Sequence, residues 1–424
     1  MISQPTANGK QGKPGKTVLM LLTNAYDPDA RVRQEALALL GMGWRVRLLA
    51  WDRDLKSAAS ELMEGVEVER IFLRSSHGRG NTQLFFYALL YLKMLWRAWR
   101  IRFDVVHCHD LDTLPIGFIA AKLKRKPIVY DAHESFPDML EGSIHPSVKK
   151  ALVALENFFI RKIDLLITVG NKLRRHFEER GAAHAVVVGN WKKLKEYSRT
   201  EAENREVRRR LGIPNGALTV VCITQLLKDR QIEELLQAID ESDGVYALIG
   251  GKGELETMIR ARAAANPRII YLGFVKAPEI PIYTCAADVV YYGFDPANPN
   301  ARFSAPNKLF EALAAGKPLI TGDFGEIGEV TRRGSCGIVL DSYTASNVRH
   351  ALEALRNVAF REECARNAGR LGQSEMNWEK CEEVLEREYA ALLKGGTLRD
   401  AVHYEMKTDR EEALDPVSAG QRQS

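Results

Sequence analysis

Two short stretches place ionisable side chains where an apolar run ends. VVHCHDLDTLP (residues 105–115) carries His107, His109, Asp110 and Asp112, and IVYDAHE (128–134) repeats the arrangement with Asp131, His133 and Glu134. Three chemistries fit this composition. His-x-His beside Asp matches the ligand types of zinc or iron. His107 also fits as a hydrogen-bonded core residue, and the whole group fits as polar residues of a cleft that act on a sugar. The two stretches leave all three open. Asp-x-Asp triplets at 27/29, 52/54 and 110/112 look like a metal–nucleotide signature. Such short matches arise by chance, and only 110/112 follows an apolar run.

The second half of the chain offers groups suited to anions. GGKGEL (250–255) places glycines between an apolar run and a helical one, where backbone N–H groups at Gly251 can approach phosphate or ribose. VVCITQLLKDRQ (220–231) sets Lys228 and Arg230 in a loop before a helix, as a diphosphate clamp or as an exposed loop. In SAPNKLFEALAAGKPLITGD (304–323) a Pro-Asn start, an Ala-rich face and Gly316 delimit a short helix. Glu311 sits inside that apolar helix, where an unpaired carboxylate is costly and paired ribose hydroxyls would satisfy it. Asn307 and Lys308 stand at the helix start, facing the phosphates.

These groups need a scaffold. Strand-like runs at 18–22, 45–50, 66–72, 105–108, 128–130, 165–169 and 185–188 alternate with helical stretches such as 31–40. After a charged stretch ending in LGIPNG (211–216) the pattern restarts, with runs at 217–224, 246–250, 269–272, 289–292, 317–321 and 337–340. Strands alternating with helices predict parallel sheets, because parallel pairs need crossovers. Ligands of such sheets bind beyond the carboxyl ends of the strands, so the chemistry belongs in the loops that follow them.

Composition sets the limits. A chain of 424 residues with 46% hydrophobic and 27% charged residues suits two α/β domains. The net charge of +5 is mild. The cations between Trp191 and Arg210 are interleaved with Glu196, Glu201, Glu203 and Glu206, which predicts a solvated helix or linker and no nucleic-acid partner. Six scattered cysteines without a CxxC pair argue against a zinc ribbon and suit a reducing, cytoplasmic compartment. Residues 1–16 and 395–424 read as disordered tails.

No apolar run reaches the roughly 20 residues of a membrane span. Residues 84–102, LFFYALLYLKMLWRAWRIR, are aromatic and end in Lys93, Arg97, Arg100 and Arg102. They fit a buried helix of the first domain, or a helix resting peripherally on an anionic membrane surface.

NKLFEALAAGKPLI (307–320) resembles the signature of glycosyltransferase family four. DARVRQEALALLGMGWRVRLLA (29–50), ALIGGKGEL (247–255), LGFVKAPEIPIYTCAADVVYY (272–292) and NWEKCEEVLEREYAALL (377–393) extend the likeness over residues 18–389. IVYDAHE is similar to the branch carrying Asp-Ala-His-Glu. The resemblance implies the GT-B form of α/β fold, two Rossmann-like doubly wound parallel-sheet domains facing across a cleft. It divides the chain into an acceptor domain at 17–192, a donor domain at 193–374 and a closing helix at 375–394. The implied reaction is retaining transfer of a sugar from a nucleotide-sugar donor to a glycan or lipid-linked acceptor, without metal or other cofactor.

Position by position, the resemblance puts His133 beside the transferred sugar and Arg230 on the donor diphosphate. It puts Glu311 on the ribose, and Asn307 and Lys308 at the phosphates. Lys228, Gln225 and Gly251 join the donor side, and His109, Asp110 and Glu134 the acceptor side. Three positions depart from the family pattern. Phe303 stands where a second glutamate is usual, Gln225 where an arginine is usual, and Asn24-Ala25-Tyr26 where a glycine pair is usual. A nucleotide-sugar epimerase, a metal hydrolase built on the histidines and a non-catalytic nucleotide-sugar binder remain as alternatives.

Overall fold

Runs of Val, Ile and Leu become strands covered on both faces, as parallel sheets flanked by helices require. The first sheet comprises β1 (Thr17–Leu22), β2 (Arg45–Asp52), β3 (Ser60–Met63), β4 (Val66–Phe72), β5 (Val105–His109), β6 (Ile128–Ala132), β7 (Leu165–Thr168) and β8 (Ala185–Val187). The second comprises β9 (Leu218–Ile223), β10 (Val245–Gly250), β11 (Ile269–Gly273), β12 (Val289–Tyr292), β13 (Leu319–Gly322) and β14 (Gly337–Leu340). The computed structural model describes residues 15–27, 29–74 and 80–394. The tails expected at 1–16 and 395–424 lie outside these, apart from residues 15 and 16.

Strand order is β3-β4-β2-β1-β5-β6-β7-β8 in one sheet and β11-β10-β9-β12-β13-β14 in the other. Order reverses at β1 and at β9, so each sheet opens a crevice at the carboxyl ends of its central strands. The fold is GT-B, with two doubly wound sheets. One strand departs from the parallel expectation. β3 pairs antiparallel with β4 across Glu64 and Gly65, both at positive φ (50° and 94°), a conformation that suits a tight hairpin turn. Its sequence, SELM, is mostly exposed and gives no apolar alternation to read.

The chain returns to the first sheet at its end. Trp378 N–H donates to Lys192 O at 3.1 Å, and helix Trp378–Leu393 buries Trp378, Cys381, Leu385 and Tyr389 against β1, β2 and their neighbours. Helix Glu201–Arg210, capped by a Thr200/Glu203 box, is the solvated helix read from its mixed charge. All six cysteines are buried free thiols.

Residues 84–102 fall in helix Gly80–Arg100 and the turn after it. Leu90, Met94 and Ala98 point into the core, while Leu92, Trp96 and Trp99 are exposed on the far side. The side chains of Leu84 and Phe85 lie outside the described residues.

Candidate active site

A cavity of ≈ 680 Å³ opens between the two sheets and takes lining residues from both. The second domain supplies Gln225, Arg230, Gly251, Asn307, Lys308 and Glu311, and the first supplies His133, Glu134 and Asn190.

On the wall formed by the second sheet, the loops after β9 and β10 run against each other. Leu226 N–H donates to Lys252 O at 2.9 Å, and a Cβ at Gly251 (φ 140°) would lie 1.9 Å from Thr224 O. Only glycine fits there. Its N–H donates to Gly273 O at 2.8 Å and its C=O accepts from the Tyr271 hydroxyl at 2.9 Å, so Gly251 shapes the wall but has no free N–H for the phosphate contact expected from sequence. Arg230 closes the turn Lys228–Arg230. Its guanidinium lies over the Phe294 ring at 4.3 Å and donates through Nη1 to the Tyr292 hydroxyl at 2.9 Å. That aromatic seat fixes a largely buried cation at the cavity wall.

Helix Asn307–Ala315 begins after Pro306 with no side-chain cap, so its first N–H groups face the cavity. Gly316, at φ 60°, ends the helix in the left-handed conformation. An uncapped helix start is a ready anion seat. Within this helix Lys308 and Glu311 form a buried ion pair one turn apart. Lys192 adds a third cation nearby, donating through Nζ to Asn307 Oδ1 at 2.6 Å. Burial lowers the Lys192 pKa, against the pull of Glu311.

On the opposite wall Asp131, fully buried on β6, organises three side chains. Arg31 Nη2 reaches its Oδ1 at 2.6 Å and Arg31 Nε its Oδ2 at 3.1 Å. His133 Nε2 lies 2.7 Å and His109 Nδ1 3.1 Å from the same Oδ2. Asp110, at φ 61°, faces the other His133 nitrogen at 3.4 Å and accepts from the His133 backbone N–H at 3.3 Å. Burial alone would raise the Asp131 carboxyl, but Arg31 and His133 hold it well below the usual carboxylate range. Burial alone would lower His133, but Asp131 and Asp110 raise its pKa to about 9. His133 therefore presents an imidazolium to the cavity at neutral pH.

Behind His133, Glu35, His107, His109 and Asp131 offer ligand atoms within 4.8 Å of one another, all fully buried. This is the metal reading of the two motifs, with Glu35 in place of His133. Arg31 already occupies the centre. It binds Asp131 in a fork and stands 3.0 Å from Glu35, so a divalent ion would sit against a guanidinium. Burial, then Asp131, raises Glu35 to about 8 despite Arg31, which leaves it protonated at neutral pH. Burial and His109 push His107 well below its ordinary value, and its Nδ1 meets the Tyr389 hydroxyl at 2.7 Å. The cluster faces the protein interior and does not line the cavity.

Of the residues given a donor- or acceptor-side role from sequence, His133, Glu134, Gln225, Arg230, Gly251, Asn307, Lys308 and Glu311 line one cavity. Three do not. Lys228 points to solvent, and its N–H donates to Glu254 at 2.9 Å. His109 is sealed behind Asp131, because it shares a strand face with His107 and their rings stack at 4.4 Å. Asp110 acts through His133. Phe303 lines the cavity and packs on His176 at 4.4 Å. Arg31 and Glu35 had no reading from sequence, and Lys192, read there as part of a solvated charged stretch, instead reaches Asn307 beside the cavity. The signal for Arg31 and Glu35 was charge on otherwise buried faces, the two being one turn apart on a helix with apolar neighbours.

Glu326 joins the two domains. It starts helix Gly325–Arg333 of the second and accepts from Asn171 N–H at 3.1 Å and Lys172 N–H at 3.0 Å, capping helix Asn171–Glu179 of the first.

Residues 28–191 match a family model described as a glycosyl transferase 4-like domain, and residues 217–357 match glycosyl transferases group 1. The two together span well over half of the chain, which belongs to the family-four-like glycosyltransferases of GT-B fold. Among relatives, the alpha-monoglucosyldiacylglycerol synthase of Acholeplasma laidlawii is 24% identical over 67% of this chain and 74% of its own. The phosphatidyl-myo-inositol mannosyltransferase of Mycobacterium leprae is 24% identical over 71% and 77%. Among solved structures, sucrose-phosphate synthase from Thermosynechococcus elongatus superposes with a TM-score of 0.72 at 15% identity, covering 90% of this chain and 100% of that one. Anabaena HepE in complex with UDP and glucose gives 0.68 at 18%, covering 89% and 100%.

Proposed function

We propose that this glycosyltransferase moves a sugar from a nucleotide-sugar donor to a glycan or lipid-linked acceptor in the cytoplasm, with retention of configuration and without a metal ion. One observation carries the reading. Arg230, the uncapped start of helix Asn307–Ala315 and the His133 imidazolium converge on a single cavity from both domains. Breaking the anomeric bond leaves two negative phosphates and a positively charged sugar, and fixed positive groups stabilise the departing diphosphate.

Roles follow from position. Arg230 and the N–H groups of Asn307 and Lys308 hold the diphosphate. Glu311 accepts from the ribose hydroxyls and keeps Lys308 oriented. Gly251 and Gln225 border the nucleoside, and Glu134 borders the acceptor. His133, already protonated and with Nε2–H on Asp131, offers its Nδ1–H, 3.4 Å from Asp110, to an oxygen of the transferred sugar and cannot take the acceptor proton. The resemblance to family four implies that the departing phosphate serves as the base for attack on the same face, in keeping with retention. Arg31 supports the absence of a metal, since it supplies the charge that Asp131 requires.

The test is a panel of nucleoside diphosphates and nucleotide sugars read by thermal shift. A bound ligand at a hundredfold excess over its Kd should stabilise the fold by about 2.7 kcal/mol. A panel with no stabilising member contradicts the proposal.

A further inference from the structure

Three helices cover one face of the first sheet: Gly80–Arg100, Asp110–Lys124 and Pro146–Ile160. They form one continuous layer. Phe118 meets Phe159 edge-on at 5.1 Å, and Lys124 Nζ donates to Ala98 O at 3.4 Å. Their inward residues belong to a single core cluster, so the outward surface is what remains to be explained.

That surface is apolar to a degree that solvent does not account for. Leu92 is 67% exposed, Trp99 60%, Leu123 67% and Phe158 47%, with Trp96 and Ile119 exposed beside them. It is also strongly one-signed. Helix Gly80–Arg100 contains no Asp or Glu. In Asp110–Lys124 the acids are Asp110 and Asp112 at the cleft end. The one acid of Pro146–Ile160, Glu156, is fully buried and paired with Arg180 at 2.7 Å. Marginal acids are already paired: Glu69 with Arg97, Asp104 with Lys126, and Asp138 and Glu141 with Lys149. Lys93, Arg100, Arg102, Lys122, Arg125 and Lys150 remain exposed around the apolar residues. Arg100 and Arg97 lie over the Trp96 ring at 4.6 and 5.2 Å, the pairing of aromatic and cation that suits a membrane interface.

We propose that this three-helix face docks on an anionic lipid bilayer, and that the acceptor is therefore lipid-borne; the second half rests on the transfer reaction proposed above. Exposed tryptophans and leucines ringed by cations suit acyl chains beneath anionic headgroups. A second copy of this chain would bring like charge against like charge. No helix among the described residues is long and apolar enough to cross a membrane, so the contact is peripheral. The face also leads to the cavity. Helix Asp110–Lys124 starts at Asp110, 3.4 Å from His133, and its 15 residues carry the surface away over roughly 22 Å. A headgroup-linked glycan reaches the cleft along that length.

Flotation of the full chain with vesicles of phosphatidylcholine, and of equal parts phosphatidylcholine and phosphatidylglycerol, tests the proposal. The chain should float with the anionic vesicles at low salt, leave them as salt rises, and shift its tryptophan emission to the blue. Lys93→Gln/Arg100→Gln/Arg102→Gln should bind roughly a hundredfold more weakly, at about fivefold per cation. Trp96→Ser/Trp99→Ser/Leu123→Ser should also float more weakly than the parent with the anionic vesicles. These are surface positions, and unchanged thermal unfolding verifies the fold of each variant. Absence of flotation at low salt overturns the proposal, as does flotation of both variants equal to that of the parent. Capture by heparin or an acidic protein but not by anionic vesicles overturns it too. Nucleoside diphosphate binding, measured on the same samples, separates the two readings. Flotation lost with nucleotide binding intact removes the lipid face alone. Flotation without nucleotide binding removes the transfer reaction and leaves the lipid face.

Discussion

His133 Nε2 stands 2.7 Å from Asp131 Oδ2, and that carboxylate is held from behind by the fork of Arg31. The side chain that meets the cavity is thus charged and oriented by Asp131, which Arg31 holds in turn, and neither of these two lines the cavity. Asp110 faces the remaining ring nitrogen from a partly exposed position at 3.4 Å.

Asp110→Asn isolates the Asp110 contribution to the His133 charge. Asn accepts the positive φ of that position, so the fold should hold. The His133 imidazole, followed by NMR, should titrate near 9 in the parent and lower in the variant. An unmoved midpoint would show that Asp110 adds nothing to the charge of His133.

Stability should fall as pH rises through the neutral range. Glu35 keeps its proton in the folded state to about 8 against an ordinary 4.5, and His133 to about 9 against 6.5. Where the folded chain binds more protons than the unfolded one, stability declines with pH. Stability from each group is full below its ordinary value and is lost as pH climbs through the folded one. Tm should therefore drop between about pH 5 and pH 9. Glu35→Gln replaces a neutral acid by a neutral amide. It should flatten the lower part of that slope and stabilise the fold at pH 8 by about 1–3 kcal/mol. A Glu35→Gln chain that melts well below the parent at pH 8 contradicts the protonated state.

Arg230→Ala should weaken binding of nucleoside diphosphate by about 2–3 kcal/mol, because a desolvated cation leaves the phosphates. Calorimetry reads the loss directly. Equal affinity in a folded variant removes Arg230 from the site.

Glu311 should distinguish ribose from deoxyribose. The parent should prefer a ribonucleoside diphosphate over its 2′-deoxy form, and Glu311→Ala should bind both alike. A preference that survives the substitution places ribose recognition elsewhere.

Glu326→Ala should release the start of helix Asn171–Glu179. Loss of the cap costs about 1 kcal/mol and should speed amide exchange at Asn171 and Lys172, the two N–H groups it accepts from. Unchanged exchange there would mean the domains do not rely on this contact.

The strands were legible because parallel strands buried on both faces read as unbroken apolar runs, and β5, β6, β9 and β10 are of that kind. β3 was not, because a turn at Glu64 and Gly65 makes it and its own side chains face solvent. The cavity-lining groups were legible where a local signal sufficed, as with Asn307 at a helix start. Lys228 and Arg230 looked equivalent in sequence, yet only Arg230 has the Phe294 ring to seat it. Arg31 lies 100 positions from Asp131, and no local pattern links them. His107 and His109 carried a metal-like spacing, whereas strand alternation turns both into the buried side, where Tyr389 of the last helix and Asp131 take their Nδ1 atoms.

The most direct test follows a transfer reaction by NMR, with a nucleotide sugar identified in the binding panel, an acceptor glycolipid and EDTA present throughout. Retaining, metal-independent transfer predicts release of nucleoside diphosphate and a product whose anomeric configuration matches the donor, with turnover undiminished by chelation. An inverted product, or turnover that stops with EDTA and returns with a single divalent ion, contradicts it.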